Sequence, residues 1–264
     1  MKGRRVLITG AASGIGRATA LLCLERGARV AGLDLDSDGL RSLAEEATAA
    51  GSARSLVIVE CDVASEDDLA GAFRHARDAL GPLDGAVANA GIELNTPLHE
   101  LPSRDWDRVL DVNLRGVFLT CKLALAAMLS DGVAGSIVCT SSPAAFVGFA
   151  GGGNGAYAAS KGAVSALVRS LAVDYGPHGI RVNAVVPGAT DTPLLLAGTP
   201  IEQHAAAHTD FTARAAAEIP LRRMAAPREI AHAITWLLSD ESSYVTGSHL
   251  ICDGGLLAKG ANTF

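Results

Sequence analysis

The sequence predicts an α/β fold, a parallel β-sheet covered by helices, in a single domain of 264 residues. Two observations support this prediction. Short apolar runs alternate along the chain with longer helical stretches, and strands joined through helices run parallel with right-handed crossovers. The composition, with 49% hydrophobic and 19% charged residues, suits one large domain with a substantial core and argues against disorder. No repeat or low-complexity linker divides the chain, so we expect residues 1–264 to form one unit.

The first strand and the turn after it predict a phosphate site. Arg5 to Thr9 is a short apolar strand, and a helix is expected from Arg17 to Arg26 with Gly27 as its C-cap. Between them lies a glycine-rich turn made of Gly10, Ala11, Ala12, Ser13, Gly14, Ile15 and Gly16. Its glycines let backbone amides approach a pyrophosphate, whose negative charge the helix N-terminus favours. The spacing differs from the common Gly-x-Gly-x-x-Gly, so an ordinary tight turn is the alternative interpretation.

The second strand ends at an acid that predicts the choice of dinucleotide. Ala28 to Leu33 is apolar, and Asp34 follows about 20 residues beyond the glycine-rich turn, where a carboxylate would hold an adenosine ribose. This carboxylate would accept hydrogen bonds from the ribose hydroxyls and repel a 2′-phosphate, and neither Ser13 nor Leu35 supplies a compensating cation. NAD is therefore the expected cofactor, and NADP is less favoured. A helix cap or turn acid is the alternative role for Asp34.

Two further strands bring small or polar residues to the same edge of the sheet. Helices are expected at 38–50 and 66–80, and strands at 55–60 and 83–88. Asp62 and Val63 follow the third strand, where Asp62 either contacts the adenine ring or simply begins a loop. Asn89, Ala90 and Gly91 follow the fourth strand, and their small neighbours would let a cofactor lie against the strand ends. Ligands of such sheets bind at these carboxyl ends.

The second half of the chain continues the alternation and then becomes irregular. The expected elements are a helix at 103–129, a strand at 135–140, a helix that runs to about residue 175, a strand at 180–185, a helix at 230–238 and a strand at 248–252. Asn113 falls inside the first of these helices, where its amide competes with the backbone. Solvent exposure or a polar role near a site would explain it. The irregular stretch at about 192–227 is interpreted as a substrate lid.

Tyr157 and Lys161 form the candidate catalytic pair. In a helix they would lie on one face, one turn apart. A phenol titrates near pH ~10 and a nearby cation lowers that value, so a tyrosine tuned in this way can exchange a proton with a substrate hydroxyl or carbonyl. A surface Tyr/Lys pair is the alternative. His204 and His208 also have helical spacing, but no third ligand accompanies them, so no metal site is expected.

Together these motifs resemble those of the short-chain dehydrogenase/reductase family over essentially the whole chain. The matching residues are Thr9-Gly10-x-x-x-Gly14-x-Gly16, Asp62-Val63, Asn89-Ala90-Gly91, Asn113, Ser142, Tyr157-x-x-x-Lys161, Pro187-Gly188 and Asp253-Gly254-Gly255. The resemblance implies a Rossmann-type, doubly wound domain, with a seven-stranded parallel sheet and helices on both faces, that binds a nicotinamide dinucleotide. The segment between Ser142 and Tyr157 is longer than is usual in the family and contains Gly151, Gly152 and Gly153.

The resemblance also implies roles for individual residues. Tyr157 would be the general acid/base, and Lys161 would lower its pKa and hold the nicotinamide ribose. Ser142, chosen over Ser141 from its position relative to the strand, would hydrogen-bond the reacting oxygen. Asn113 would hold a water that connects Lys161 to solvent. The cofactor contacts implied after the sixth strand are Pro187, Gly188, Thr190 and Thr192.

The leading hypothesis for function is an NAD-dependent dehydrogenase that interconverts a secondary alcohol and its ketone. One alternative is a reductase of 3-oxoacyl thioesters, although Arg222 and Arg223 are only a pair of cations for an acidic carrier protein. A non-catalytic dinucleotide-binding protein is the alternative from another class, but it would not be expected to keep all four catalytic residues. Apolar candidates for the substrate lining, which fit a moderately hydrophobic substrate, are Phe146, Phe149, Leu194 to Leu196 and Phe211.

Composition bears on the remaining partners. The net charge of -6 argues against nucleic acid, and no apolar run looks long enough to span a bilayer. Five scattered cysteines without a Cys-x-x-Cys pair point to buried thiols in a reducing cytoplasm. The family resemblance implies a homotetramer, or at least a homodimer, built on the helices that begin near Ser103 and Gly155. Periodicity alone cannot tell an interface stripe on these helices from one that only covers the sheet.

Overall fold

Seven parallel strands form the centre of the molecule, in the order β3-β2-β1-β4-β5-β6-β7. A computed structural model describes residues 1–149, 153–197 and 199–260, so Gly151 and Gly152 of the long segment lie outside the described residues. The strands are β1 (Arg5–Thr9), β2 (Arg29–Asp34), β3 (Leu56–Glu60), β4 (Gly85–Ala88), β5 (Gly135–Thr140), β6 (Ile180–Pro187) and β7 (His249–Cys252). The helices are α1 (Gly14–Glu25), α2 (Ser37–Ala49), α3 (Glu66–Leu80), α4 (Ser103–Leu110), α5 (Gly116–Asp131), α6 (Gly155–Tyr175), α7 (His204–Glu218) and α8 (Pro227–Leu238). The predicted doubly wound, Rossmann-type α/β fold is confirmed.

The core consists of two apolar layers, one on each face of the sheet. Successive residues of β1 alternate between them, with Leu7 in one layer and Ile8 in the other. Helices α3, α5 and α6 close the first layer, for example through Leu119, and α1, α2 and α8 close the second, for example through Ile234. Because helices cover both faces, β5 is buried along its whole length, including its two hydroxyl residues Ser136 and Thr140.

The chain reverses its direction of winding at β1. This strand pairs with β2 on one side and with β4 on the other, so the connections that follow β1 and β4 lead away to opposite sides of the sheet. A crevice opens beyond the carboxyl ends of two strands whose connections diverge in this way. The topology therefore positions the ends of β1 and β4 as the centre of a ligand site.

The long helix expected at 103–129 is interrupted by a π turn at Asp111–Arg115, which separates α4 from α5. Asn113 lies in this turn, and its side chain bonds to the backbone beyond β4 instead of facing solvent. Taken as one helix, Ser103–Asp131 is long and apolar enough to cross a membrane by length and composition, contrary to the expectation from the sequence. More than half of its most apolar part is buried inside the domain, as in core helices that pass the same test.

The stretch at 192–227, expected to be irregular, contains the four-turn helix α7. Alanine favours helix formation, but only Ala215 of α7 is buried, so the sequence carries little of the periodicity that reveals an amphipathic helix. The base of this segment is closed by a parallel bridge between Thr190 and Ala225. Asp191 N donates to Ala225 O and Ala225 N donates to Ala189 O, both at 2.9 Å. The two ends of the segment are therefore fixed side by side.

Candidate active site

A cleft of about 1480 Å³ runs along the carboxyl ends of the strands and contains nearly all the predicted site residues. The predicted residues that line it are Gly10, Ser13, Gly14, Ile15, Asp34, Asp62, Val63, Asn89, Ala90, Gly91, Ser142, Tyr157, Lys161, Pro187, Gly188, Thr190 and Thr192. The other two, Gly16 and Asn113, are buried directly behind this wall. The structure thus brings together residues that the sequence distributes over eight separate segments.

The glycine-rich turn presents bare backbone to the cleft. Gly10 and Gly14 have positive φ angles of 69° and 53°, which disfavour other residues. A Cβ atom on Gly16 would lie 1.9 Å from the carbonyl oxygen of Gly10, and one on Gly10 would lie 2.9 Å from the Cα atom of Ala90. Any side chain at these positions would push the turn away from β4 or from α1. Open amides at the N-terminus of α1 suit the phosphates of a dinucleotide.

Asp34 fixes the end of the cleft beyond β2. Its two carboxylate oxygens accept hydrogen bonds from the amides of Ala12 (2.9 Å) and Asp36 (3.0 Å), which orient the side chain. Arg17 lies on the neighbouring helix α1, but its guanidinium is bonded to the carboxylate of Glu46 at 2.8 Å. The two backbone amides therefore fix the position of the Asp34 carboxylate, and the guanidinium of Arg17 is paired with Glu46 instead of Asp34.

Asn89 ties the strand ends together. Its amide nitrogen donates to the carbonyl oxygen of Thr9 at 3.2 Å, and its amide oxygen accepts from the hydroxyl of Thr140 at 3.1 Å. These bonds join β4 to β1 and β5, so Asn89 shapes the floor of the cleft with its side-chain amide. Asp62 lines the cleft and accepts from the amide of Ala64 at 2.9 Å, the geometry of a loop that begins at an acid.

Tyr157, Lys161 and Ser142 meet at the other end of the cleft. Lys161 Nζ lies 5.5 Å from the centre of the Tyr157 ring and donates to the carbonyl oxygen of Thr140 at 2.8 Å. The hydroxyl of Ser142 hydrogen-bonds that of Tyr157. Ser141 points the other way and bonds the hydroxyl of Ser165 at 2.7 Å inside the protein. The serine that accompanies Tyr157 in the cleft is therefore Ser142.

Burial dominates the electrostatics of this cluster. Loss of hydration raises the pKa of Tyr157 well above its ordinary value, and the carboxylate of Glu93 raises it further, whereas the hydrogen bond from Ser142 lowers it. Burial also lowers the pKa of Lys161 to about 8, which the charge of Glu93 partly opposes. The expected lowering of the Tyr157 pKa by Lys161 does not offset the burial in the protein alone. Tyr157 is thus a protonated hydroxyl at neutral pH.

Asn113 is completely buried, so solvent exposure does not explain its place in a helix. Its amide oxygen accepts from the backbone N–H of Ile92 and its amide nitrogen donates to the backbone carbonyl of Ile92, each at 2.8 Å. The amide nitrogen also approaches the hydroxyl of Ser160 at 3.3 Å. Asn113 therefore clamps the segment beyond β4 to the π turn and to α6. Such turns occur frequently at functional sites.

Several polar residues that line the cleft were not identified from the sequence. They include Glu93, Asn95 and Asn154, and also Arg104, Asp107, Arg108, Asp111, Arg214 and Glu218. Asn154 donates a hydrogen bond to the carboxylate of Glu93, whose pKa is raised by its burial. For Glu93 the sequence offers one signal, which is that an acidic residue stands two positions after Gly91.

The predicted apolar lining is largely present. Phe149, Leu194, Leu195 and Phe211 line the cleft. Phe146 instead packs edge-on against His249, with the ring centres 5.6 Å apart. The segment 192–227 thus contributes the apolar residues Leu194, Leu195 and Phe211 to the cleft, together with the charged residues Arg214 and Glu218.

The two histidines of the segment 192–227 contact different partners. His204 Nε2 lies 3.0 Å from the carbonyl oxygen of Thr199, and His208 Nε2 lies 3.1 Å from a carboxylate oxygen of Asp191. Over residues 1–149, 153–197 and 199–260, no group of three or more His, Cys, Asp or Glu side chains is arranged to hold a metal ion. The contact between His208 and Asp191 instead joins α7 to the bridged base of the segment 192–227.

Comparison with known proteins agrees with this geometry. Residues 10–257 match the profile of a family described as enoyl-(acyl carrier protein) reductase. The chain is 44% identical to cis-4-hydroxycyclohexanecarboxylate dehydrogenase of Sinomonas cyclohexanicum, over 97% of each chain. It is 39% identical to 2,5-dichloro-2,5-cyclohexadiene-1,4-diol dehydrogenase of Sphingobium indicum, over 98% of each chain.

A solved structure shares the whole architecture. A short-chain type dehydrogenase/reductase from Mycobacterium marinum superposes with a TM-score of 0.89 at 36% identity, over 98% of this chain and 97% of that one. The fold, the family profile and the dehydrogenase relatives agree that this chain is an oxidoreductase that acts on CH–OH groups with a nicotinamide dinucleotide. The chain belongs to the short-chain dehydrogenase/reductase family.

Proposed function

We propose that this protein is an NAD-dependent dehydrogenase that interconverts a secondary alcohol and its ketone, with Tyr157 as the general acid/base. The observation that carries the proposal is the hydrogen-bonded pair of Ser142 and Tyr157 hydroxyls, which face the cleft with the Lys161 ammonium behind them. Two hydroxyls held in this way converge on one substrate oxygen. No such pair is needed by a protein that only binds a dinucleotide.

The proton chemistry follows from the protonation state of Tyr157. Because burial raises the pKa of Tyr157, the hydroxyl can donate a proton to the oxygen of a ketone at neutral pH. In the opposite direction the phenol must ionise before it accepts the proton of the alcohol, and Ser142 holds the alcohol oxygen. We propose that Lys161 and a water held near Asn113 return this proton to solvent. The dinucleotide, when bound, supplies or accepts the hydride.

The residues of the cleft fit an NAD molecule. The glycine-rich turn would hold the pyrophosphate, Asp34 the adenosine ribose, and Lys161 the nicotinamide ribose. Pro187, Gly188, Thr190 and Thr192 would contact the nicotinamide end, and Asp62, Val63, Asn89, Ala90 and Gly91 the adenine and strand-end surfaces. A 2′-phosphate at Asp34 would meet a fixed negative charge while Arg17 is bonded to Glu46, so we propose that NAD is preferred to NADP.

The substrate class follows from the lid and from the relatives. The names of the two relatives described above refer to alcohols carried on a six-membered ring, and the apolar residues Phe149, Leu194 and Phe211 suit such a ring. We propose a small cyclic secondary alcohol as substrate and the segment 192–227 as the lid that covers it. Reduction of 3-oxoacyl thioesters is less favoured, because Arg223 is bonded to Glu229 at 2.7 Å and offers little free charge to an acidic carrier.

We also propose a homotetramer, or at least a homodimer, in the cytoplasm. Helices α5 and α6 expose Phe118, Leu129 and Val173, and Val173 is 77% exposed. All five cysteines are free thiols, which suits a reducing compartment. Light scattering during size exclusion, over a dilution series, tests the assembly. A single active species at 26.9 kDa would contradict it.

A tyrosine pair on one helix tests the proposed function. Tyr157→Phe removes only the hydroxyl, so turnover should fall at least ~10²-fold, the low end of a general acid/base contribution, while NAD binding is retained. Tyr175→Phe, the same change at the far end of α6, should leave turnover unchanged. Turnover would be followed by the absorbance of the reduced cofactor with cyclohexanol, and NAD binding by calorimetry. Turnover of Tyr157→Phe within a few-fold of wild type would assign the proton transfer to another group.

A further inference from the structure

Glu93 and Asn154 form a polar pair beside the proposed catalytic hydroxyls. Both line the cleft, and the amide of Asn154 donates to the carboxylate of Glu93. Glu93 lies two residues beyond Gly91, where a Cβ atom would be only 3.6 Å from Lys161 Nζ, so the carboxylate lies close to the reacting end. Its charge raises the pKa of both Tyr157 and Lys161. Its position is set from behind, because Asn113 clamps the adjacent Ile92 through both backbone groups.

The conformation of Asn154 points to a function for this pair. Asn154 occupies the N-cap position of α6, where an asparagine normally accepts a hydrogen bond from the first turn of its helix. Here its side chain makes no capping bond and reaches Glu93 instead. A helix cap is worth about 1 kcal/mol. Helix α6 therefore lacks the stabilisation of this capping bond, and the Asn154 side chain instead orients the half-buried carboxylate of Glu93 in the cleft.

We propose that Glu93, held by Asn154, accepts a hydrogen bond from a second hydroxyl of the substrate, so that the substrate is a cyclic diol or polyol. This inference rests on the proposed function and narrows its substrate class. A carboxylate offers about four acceptor sites, so it can bind a hydroxyl in addition to Asn154. The apolar side chains of Leu194, Leu195 and Phe211 would cover the hydrocarbon face of the ring, and Glu93 would receive its second hydroxyl. A substrate with a carboxylate at this place would meet the like charge of Glu93.

The experiment compares cyclohexanol with the 1,2-, 1,3- and 1,4-cyclohexanediols on wild-type enzyme, Glu93→Gln and Glu93→Asp, with NAD. Hydrogen bonds to charged groups discriminate by about tenfold to a hundredfold. At least one diol should therefore exceed cyclohexanol in kcat/KM by about tenfold or more on the wild type. Glu93→Gln, which keeps the shape, should lower this ratio about tenfold, mainly through KM for the diol. Glu93→Asp keeps the charge but shortens the side chain, and should give an intermediate ratio.

The measured quantity is the ratio of kcat/KM for a diol to kcat/KM for cyclohexanol. An effect that a variant has on both substrates cancels in this ratio. Glu93 also acts on Tyr157 and Lys161, the ionisable groups that face it from α6, but this influence is common to cyclohexanol and the diols. Glu25→Gln is the matched control, because Glu25 is paired with Arg228 at 2.6 Å on the outer helices α1 and α8 and lies outside the lining of the cleft. Its ratio should equal that of the wild type.

The outcomes separate this inference from the proposed function. Oxidation of cyclohexanol and all diols with equal efficiency by the wild type would overturn the diol site and leave the dehydrogenase in place. An unchanged ratio in both Glu93 variants would do the same, and would assign the Glu93–Asn154 bond to structure. A wild-type preference for 4-hydroxycyclohexanecarboxylate over every diol would also overturn it. Absence of turnover with every secondary alcohol would overturn both proposals.

Discussion

Replacing Asn113 by alanine separates a structural clamp from a catalytic relay. The side chain makes hydrogen bonds with both backbone groups of Ile92, and a matched residue exists elsewhere in the fold. Asn183 in β6 is also fully buried, donates to the carbonyl oxygen of Val245 at 2.8 Å and accepts from the amide of Ser248 at 3.0 Å. The two asparagines thus hold one N–H and one C=O each, but only Asn113 lies beside the proposed proton path.

The structure sets the size of the effect. Asn113→Ala leaves the N–H and the C=O of Ile92 without these partners, and each unsatisfied group costs about 1–3 kcal/mol. We therefore expect Asn113→Ala to lower the free energy of unfolding by about 2–6 kcal/mol. Asn183→Ala leaves the N–H of Ser248 unpaired, but the carbonyl oxygen of Val245 still accepts from Arg181 at 3.3 Å, so its loss should lie at the lower end of this range. This loss is a large share of the total of about 5–15 kcal/mol typical of a domain. Asn113→Asp keeps the acceptor for Ile92 N and is the milder variant should the alanine protein not fold.

The assay measures urea unfolding and kcat on the same preparations, at a temperature where each variant is folded. Both alanine variants should lose stability, Asn183→Ala less than Asn113→Ala, and only Asn113→Ala should also lose kcat, by at least about tenfold. Equal kcat in the two variants would refute the relay and leave Asn113 as a clamp. An Asn113→Ala protein as stable as wild type would refute the hydrogen-bond reasoning itself.

Three further predictions concern the cofactor, the turn and pH. Asp34→Ala should narrow the preference for NAD over NADP, measured as the ratio of kcat/KM values, and equal wild-type efficiency with both cofactors would contradict the role of Asp34. Gly16→Ala should abolish NAD binding in calorimetry, because its Cβ would lie 1.9 Å from Gly10 O. Gly162→Ala, in α6 with no atom within 4 Å of the new Cβ, should leave NAD binding unchanged and raise stability by about 0.5–1 kcal/mol in thermal unfolding. Cyclohexanol oxidation should rise with pH as Tyr157 ionises, and Glu93→Gln should move that rise to lower pH, since the Glu93 carboxylate raises the pKa of Tyr157. If the increase in rate occurs at the same or a higher pH in Glu93→Gln, the Glu93 carboxylate does not raise the pKa of Tyr157.

Features set by neighbouring residues were predictable from the sequence. The helix expected at 66–80 begins and ends as observed, because Ser65 accepts a hydrogen bond from the amide of Asp68 as its N-cap and Gly81 ends it with a positive φ. The pairing of Tyr157 with Lys161 also depends only on helical spacing. All the residues that produce each of these features lie within a few positions of one another in the sequence.

Features that depend on distant segments were not predictable in this way. The π turn exists where Asn113 meets Ile92, and that contact depends on how the helix lies against the end of β4. The raised pKa of Tyr157 results from burial, which no local pattern reports. Glu93 and Asn154 are equally remote in sequence, and each alone resembles a common loop or cap residue. Helix α7 was not predicted because Ala215 is its only buried residue, so its sequence shows no apolar stripe at helical spacing.

The closed base of the lid has a consequence for how this enzyme could change its substrate over evolution. Because Thr190 and Ala225 are bridged, the chain between them begins and ends at nearly the same point. Doubling the length of such an excursion costs only about 0.6 kcal/mol in closure entropy. The segment can therefore be exchanged as a cassette while the dinucleotide side of the cleft keeps its sequence. Chimeras that carry the corresponding segment of a relative should bind NAD as the parent does and melt at nearly the same temperature, yet acquire the donor's range of alcohols.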